Sequence, residues 1–574
     1  ENNPLWMHRF GNECVDVIVG NPPWGTVDNS REQLMLEWSH SNNKSVGDKE
    51  QSQAFILRVL DFLKKGGKAG MLVSAGVLFK HGTKTQLFRK EWLGSVKIRE
   101  VFNFTHVRKF FFKKAASPFL SIYFEKGKQA DSSVLYASAK QTMLLDKTQA
   151  VLFSKYDFNW LRNQDLSSSK LWKTYWFGRF LDDTFLKSLF SLPQLNNIVD
   201  RNRTGQGYKI ASRDKKAKCL KPFSALDKNI FSRYDKLSFC VSPRYVHRSG
   251  ITEVYSGPRL LVQRGISEKG KDKGKLVARY ESTPFCFTNA LNGIKLQLPS
   301  EWKYKTILGI LWSSFARYYF FMTASTWGLW HHEIHLDDEL LQLPVVIEEE
   351  NPATKKVISL VNKLINYHPQ KQDVFHPRGV PEQKVAATRR NLEKMLDKAV
   401  FELYELSEEQ KDLIRDCCEI TLPFFYNPFG SKGGHAAVQN DDLSWIEKYV
   451  NIFARRWNAY LDDDEEMRAK VYIGAHKNML AVEFYPSDKK SAWKLKATTN
   501  SWKNVLAQIG AFLPQSIGVS QILLDGLVSV VSKSGIIIIK RNEKRFWTRS
   551  LAREDVDTSL AKAMKKGINR GENK

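Results

Sequence analysis

The stretch that most constrains this chain is residues 15–24, Val-Asp-Val-Ile-Val-Gly-Asn-Pro-Pro-Trp. Its β-branched run, closed by glycine, predicts a buried strand. Pro22 and Pro23 each lack a backbone N–H and hold their own φ, and each drives the preceding residue into an extended conformation. Neither a helix nor a sheet ladder continues through them. The strand therefore stops abruptly, with the Asn21 carboxamide and the Trp24 indole at its C-terminal edge, where open α/β sheets bind their ligands.

Such a turn suits methyl transfer to a poor amine nucleophile. The exocyclic amine of adenine delocalises its lone pair into the ring, so it needs polarising rather than deprotonating. The side-chain carbonyl of Asn21 and the main-chain carbonyl of Pro22 can each accept one of its hydrogens, aiming the lone pair by position and preorganised dipoles. Trp24 would stack on the base, which a duplex presents only after flipping it out. These residues resemble the catalytic motif of adenine-N6 DNA methyltransferases, a hydrophobic strand followed by Asn-Pro-Pro and an aromatic. A surface turn stiffened by prolines is the plain alternative. The same four residues also occur in methyltransferases acting on glutamine side chains or RNA bases.

At 574 residues the chain is long enough for several domains. Its formal charge of +27 points to a polyanionic partner, nucleic acid first. The six cysteines show no C-x-x-C spacing, so neither a zinc site nor a disulfide framework is expected, and a reducing cytoplasm fits. No apolar run has the length of a membrane span.

After the turn, residues 51–65 carry apolar side chains at helical spacing, and Lys64-Lys65-Gly66-Gly67 predicts the helix stop. Residues 69–74 read as a second buried strand, completing an α/β unit of the doubly wound kind. Residues 97–104 and 119–124 read as two more strands. Between them the resemblance places an aromatic that sandwiches the flipped base, and Phe112 is the candidate, with Phe111 the fallback. Arg108, Lys109, Lys113 and Lys114 around it suit phosphate contacts. The family's order of segments then implies a connector, a target-recognition domain reading base edges, and closing helices. Arg201, Arg203, Lys209, Gln263 and Arg264 are the candidates for DNA contact in that basic, strand-rich region.

His331-His332-Glu333-Ile334-His335 lacks the H-E-x-x-H order, so packing or DNA contact is preferred to a metal, and no metal site is expected. Asp182 and Asp183 carry no acid–base role in the expected chemistry. In the last segment, Arg541, Lys544, Arg545, Trp547 and Arg549 read as a basic-aromatic patch able to track a nucleic-acid backbone.

The expected fold class is α/β: a partial doubly wound methyltransferase sheet, then a mixed α+β DNA-recognition domain, a helical segment and a small C-terminal α/β domain. The expected boundaries are 1–130 for the catalytic half-domain, 131–195 for the connector, 196–345 for recognition, 346–430 for the helices and 431–574 for the last domain. The resemblance implies S-adenosylmethionine as cofactor and double-stranded DNA as partner, in a restriction-modification or phage-defence setting. It puts the cofactor-binding elements ahead of the Asn-Pro-Pro turn, upstream of Glu1, in a further segment or on another chain. A non-catalytic DNA-specificity subunit is the alternative from a different class.

Overall fold

The computed structural model describes every residue except 1–10, 26–33, 114–116, 129–132, 143–144, 146–148, 211–219, 221–222, 228–230, 244, 269–272, 440–441, 475, 490–492, 499–501, 503–504, 506–526, 533–534 and 566–574, together with the side chains of 527–532. Two compact units result. The first comprises Glu1–Tyr136 with Trp160–Lys411, and the second Ala137–Asn159 with Asp412–Lys574.

The first unit starts with a sheet in which β1 (Val15–Gly20) runs parallel to β2 (Leu63–Ser74). The chain between them forms helix α1 (Gln51–Phe62), whose Ala54, Ile56, Leu57 and Val59 are buried. Helix α2 (Thr83–Ser95) leads into β3 (Val96–Asn103), and β4 (Phe119–Lys126) then inserts antiparallel between β2 and β3. These four run in the order β1-β2-β4-β3 within a six-stranded sheet, which the strands Ser133–Ser138 and Phe158–Arg162 extend beyond β3. Lys126 ties this layer together by donating from Nζ to the carbonyls of Leu60 (2.6 Å) and Leu63 (2.8 Å), where α1 hands over to β2.

Two expectations change here. β1 is not buried: Val17 is 61% and Val19 84% exposed, because among the described residues the strand is paired along one edge only. The helix also ends at Phe62, before the Lys-Lys-Gly-Gly run. That run makes an irregular turn inside β2, where the register with β1 slips and Gly66 takes φ +77°. This φ is open to glycine at no steric cost.

Helices α3 (Ser169–Phe177) and α4 (Phe180–Leu189) follow. The Asp pair is structural. Asp182 accepts from the Arg179 N–H (2.8 Å) and the Tyr318 hydroxyl (2.9 Å), and Asp183 pairs with Lys187 (3.0 Å). A four-stranded antiparallel sheet comes next, in the order β7-β6-β8-β5, from β5 (Gly205–Gln206), β6 (Arg259–Gln263), β7 (Ala278–Glu281) and β8 (Leu291–Ile294). The strand-rich reading of this region holds only as far as β8. Helices α5 (Glu301–Trp312) and α6 (Ser314–Thr323) are buried on nearly every face, and an all-round apolar helix has no period to betray it. The unit closes with α7 (Pro352–Asn366) and α8 (Glu382–Leu403), paired as a helical hairpin.

The second unit is a five-stranded sheet ordered β11-β9-β10-β13-β12, from β9 (Glu465–Ile473), β10 (Met479–Asp488), β11 (Ala497–Thr498), β12 (Leu527–Ser532) and β13 (Gly535–Arg541). Helices α9 (Ser444–Asn458) and α10 (Arg549–Lys565) pack with it. In the basic-aromatic patch expected here the ring is buried, and Arg541, Lys544, Arg545 and Arg549 are half-buried. Trp547 is 1% exposed, Arg545 pairs with Glu543 (2.7 Å), and Arg549 donates to Asp416 (2.9 Å). Cations and rings so engaged are packing groups, not a surface for a nucleic-acid backbone.

Candidate functional site

The Asn-Pro-Pro-Trp turn leaves the C-terminal end of β1 beside β2. Asn21 is exposed and its carboxamide has no partner among the described residues, whereas Pro22 is buried. Trp24 is half-buried and donates its indole N–H to the Leu72 carbonyl of β2 (3.1 Å). One indole face stacks on Phe119 at 5.2 Å. Gly25 follows at φ +98°, a conformation that L side chains rarely adopt. Its N–H is accepted by Glu50 (2.7 Å), a carboxylate only 3% exposed that also accepts from the Ser52 hydroxyl (3.1 Å). Glu50 therefore sets the exit of the turn. Sequence reasoning missed it, since an acid just ahead of a helix reads as an ordinary terminal charge.

Phe112 meets Trp24 edge-on, its ring 5.5 Å away at 87°, and also touches Phe119 at 5.3 Å, so the three rings form one cluster. A base held between two parallel rings needs about 7 Å, twice the van der Waals spacing. The two rings thus touch edge to face and do not frame an open slot. Between the two strands Arg108–Phe111 form one helical turn, with Phe111 45% exposed and Phe112 half-buried at its end. Lys114 lies outside the described residues.

A second feature gathers part of the predicted contact set. A cleft of about 650 Å³ beside β5 is lined by Arg201, Gln206, Arg248, Arg264, His335 and Asp337. Arg201 pairs with Asp337 (2.6 Å), and Arg264 with Glu333 (2.9 Å). Arg248 donates to the Gln206 side-chain carbonyl (3.1 Å), a pairing that sequence reasoning missed because the two residues are 42 positions apart. Arg203 is tied instead to Asp200 (2.6 Å). Lys209 is exposed on the ribbon strand Lys209–Ile210, opposite Arg248. Gln263 ends β6, half-buried, and does not line the cleft. Two of the five predicted residues therefore meet in one place.

In the His331–His335 run only Ile334 is buried, His331 is exposed and His335 lines the cleft. Glu333 and Thr326 brace it through the Glu333 carbonyl (2.8 Å), and the His335 N–H donates to Glu339 (2.7 Å). Among the described residues no group of three or more His, Cys, Asp or Glu side chains is placed to hold a metal ion. No helix among them is long and apolar enough to cross a membrane.

An α/β sheet whose strand ends in an exposed carboxamide, backed by buried proline and rings, is the layout of an enzyme that binds substrate at the carboxyl end of its strands. Residues 1–111 match the family model described as Eco57I restriction-modification methylase, so this part of the chain is similar to a restriction-modification methylase. No curated protein matches. Among solved structures, the type IIL restriction-modification enzyme MmeI in complex with DNA is 10% identical, with 69% of this chain and 55% of that one covered and a TM-score of 0.41. The type IIG restriction endonuclease BpuSI is 12% identical, covering 68% and 54%, with a TM-score of 0.27. The type I restriction enzyme EcoKI M protein is 16% identical, covering 22% and 25%, with a TM-score of 0.17. The chain thus spans about half the length of the first two and a quarter of the third.

Proposed function

We propose that this chain is the catalytic and recognition part of a DNA methyltransferase of a restriction-modification or phage-defence system, transferring a methyl group to N6 of adenine in duplex DNA. The observation that carries the reading is the Asn21 carboxamide, exposed and without a partner among the described residues at the end of β1, next to buried Pro22. In this reading Asn21 Oδ1 and the Pro22 carbonyl accept the two amine hydrogens and hold the nitrogen lone pair outward. The gain is one of position and fixed dipoles, with no proton removed before attack. Trp24, pinned by Leu72 and Phe119, is the fixed wall of the base site. Phe112 is the mobile wall, which must swing off the indole edge for a base to enter.

The expected donor is S-adenosylmethionine. The described residues do not fit it: β1 shows bare Val17 and Val19, and no Gly-rich turn opens a helix beside it. The edge of β1, unpaired among the described residues, is where a further segment or another chain could pair. Arg201, Arg264, Arg248 and Gln206 are assigned to DNA contact, with Lys209 beside them and Arg203 and Gln263 in supporting positions. Arginine and glutamine suit base edges in the major groove, and the surrounding cations suit phosphates.

The test is Asn21→Ala in the protein together with its cofactor-supplying part, read as transfer of labelled methyl groups to duplex DNA. Loss of transfer with DNA binding retained supports the reading. Unchanged transfer overturns it. The closed Trp24–Phe112 contact favours one second reading, a DNA-specificity subunit that keeps this fold without catalysis. Under that reading wild-type protein transfers no methyl groups, and Asn21→Ala leaves DNA binding unaltered.

A further inference from the structure

The loop joining α7 to α8 carries an exposed apolar tip. Val374 is 90% and Phe375 88% exposed, two adjacent apolar side chains standing almost wholly in solvent. This is no slack connection. Asp373 Oδ1 accepts from the N–H groups of Phe375 (2.9 Å) and His376 (2.6 Å) and from the His376 ring (3.0 Å). Below the tip the strands of the loop close on each other, with the Val380 N–H donating to Gln370 (2.7 Å) and Gln372 donating to the Pro377 carbonyl (3.2 Å). At Gly379 a Cβ would come within 2.4 Å of the Lys371 carbonyl, so the two arms pass too closely for any other residue. An ordered turn that holds an aromatic ring out in water gains nothing in the free protein.

The neighbourhood of the tip is cationic. Lys371, His376 and Arg378 sit on the loop itself. Lys371 also lines a cleft of about 800 Å³ in which Arg233, Lys275, Arg389 and Arg390 outnumber Asp235, Glu382 and Glu393. Glu393 answers Arg233 (3.4 Å) and Lys275 (3.0 Å) there, and Arg389 lies over the Tyr234 ring (4.9 Å). The loop's single carboxylate, Asp373, is spent on the turn.

We propose that Val374 and Phe375 form an apolar wedge that enters the minor groove of duplex DNA and unstacks one base step, while Lys371, Arg378 and the adjacent cleft hold the flanking phosphates. Apolar side chains set between basic residues act on duplexes in this way, and the unstacking kinks the DNA towards its major groove, away from the wedge. An apolar protein partner would not call for Lys371 and Arg378 beside the tip. The inference rests on the DNA-binding reading above and adds a contact remote from the Asn-Pro-Pro turn.

The experiment uses the 574-residue chain and a mixed-sequence duplex carrying donor and acceptor dyes at its ends. Wild-type protein binds the duplex and shortens the end-to-end distance. Phe375→Ser binds about tenfold more weakly, as expected for one lost stacking contact, abolishes the shortening, and leaves the salt dependence of binding unchanged. Phe375→Leu, still a wedge, restores most of both, and all three proteins melt at one temperature because the tip packs against nothing. Wild-type bending by Phe375→Ser overturns the wedge and leaves the methyltransferase reading standing. A wild-type chain that binds no duplex overturns both. Self-association lost in Phe375→Ser, with DNA binding unaltered, overturns the wedge in favour of docking between copies of this chain.

Discussion

Trp24→Ala separates anchoring of the substrate turn from chemistry at it. The indole is half-buried, stacks on Phe119, meets Phe112 edge-on and donates to Leu72. About 150 Å² of ring surface kept from water, at about 25 cal/mol per Å², contributes about 4 kcal/mol. The hydrogen bond adds about 1 kcal/mol. Partial collapse into the vacated space returns some of this, so a loss of about 3–4 kcal/mol is expected, in the range of large-to-small aromatic changes. Trp24→Phe keeps the ring contacts and loses the N–H, for about 1 kcal/mol. Asn21→Ala, at an exposed side chain, stays within about 0.5 kcal/mol of wild type. Urea unfolding followed by circular dichroism measures the three. Hydrogen exchange of peptides spanning β1 and β2 places the effect in this sheet. A Trp24→Ala protein as stable as wild type, or an Asn21→Ala protein destabilised as much as Trp24→Ala, refutes the division of labour between the two residues.

Glu50→Ala leaves the Gly25 N–H without its buried acceptor and costs about 1–3 kcal/mol in thermal unfolding, with Glu50→Gln recovering part of it. Gly25→Ala, at φ +98°, costs about 1–2 kcal/mol of backbone strain in the same assay, although there is room for the methyl group. Arg201→Ala and Arg264→Ala weaken duplex binding; a phosphate contact shows as a salt slope smaller by about one unit, and a base contact as relaxed preference at one position. His81 is held below its ordinary pKa by burial, against the opposing pull of Glu339 and in the field of Lys170, Arg89 and Asp338. It is therefore neutral in the folded chain, and its contribution to stability is complete above its unfolded value and lost as pH falls through and below that value. His81→Asn should flatten this acid-side decline in melting temperature, and an unchanged profile counts against the assignment.

What could be read from the residues alone was local. Two prolines after a β-branched run leave one outcome, so the strand and its abrupt end were legible before any contact was known. Helices α1 and α8 were legible in the same way, each having an apolar stripe with a polar back. Helices α5 and α6 were not, since a helix buried all round shows no stripe. The exposure of Val17 and Val19 was equally hidden, because the same valines read identically whether or not a neighbour covers them. The misjudged patch around Arg549 shows why charge alone deceives. Its carboxylate partner Asp416 lies 133 positions earlier, and Arg553 finds Asp412 141 positions back. The Arg248–Gln206 pair is another case of chemistry assembled only by the fold.

Residues 137–159 fold with the C-terminal unit, and Tyr156 donates to Asp555, 399 positions later. At ribosomal speeds of about 5–20 residues per second, that tyrosine waits roughly 20–80 s for its carboxylate to be synthesised. Until then the hydroxyl lacks its carboxylate partner, and a gene cut at residue 412 would remove that partner for good.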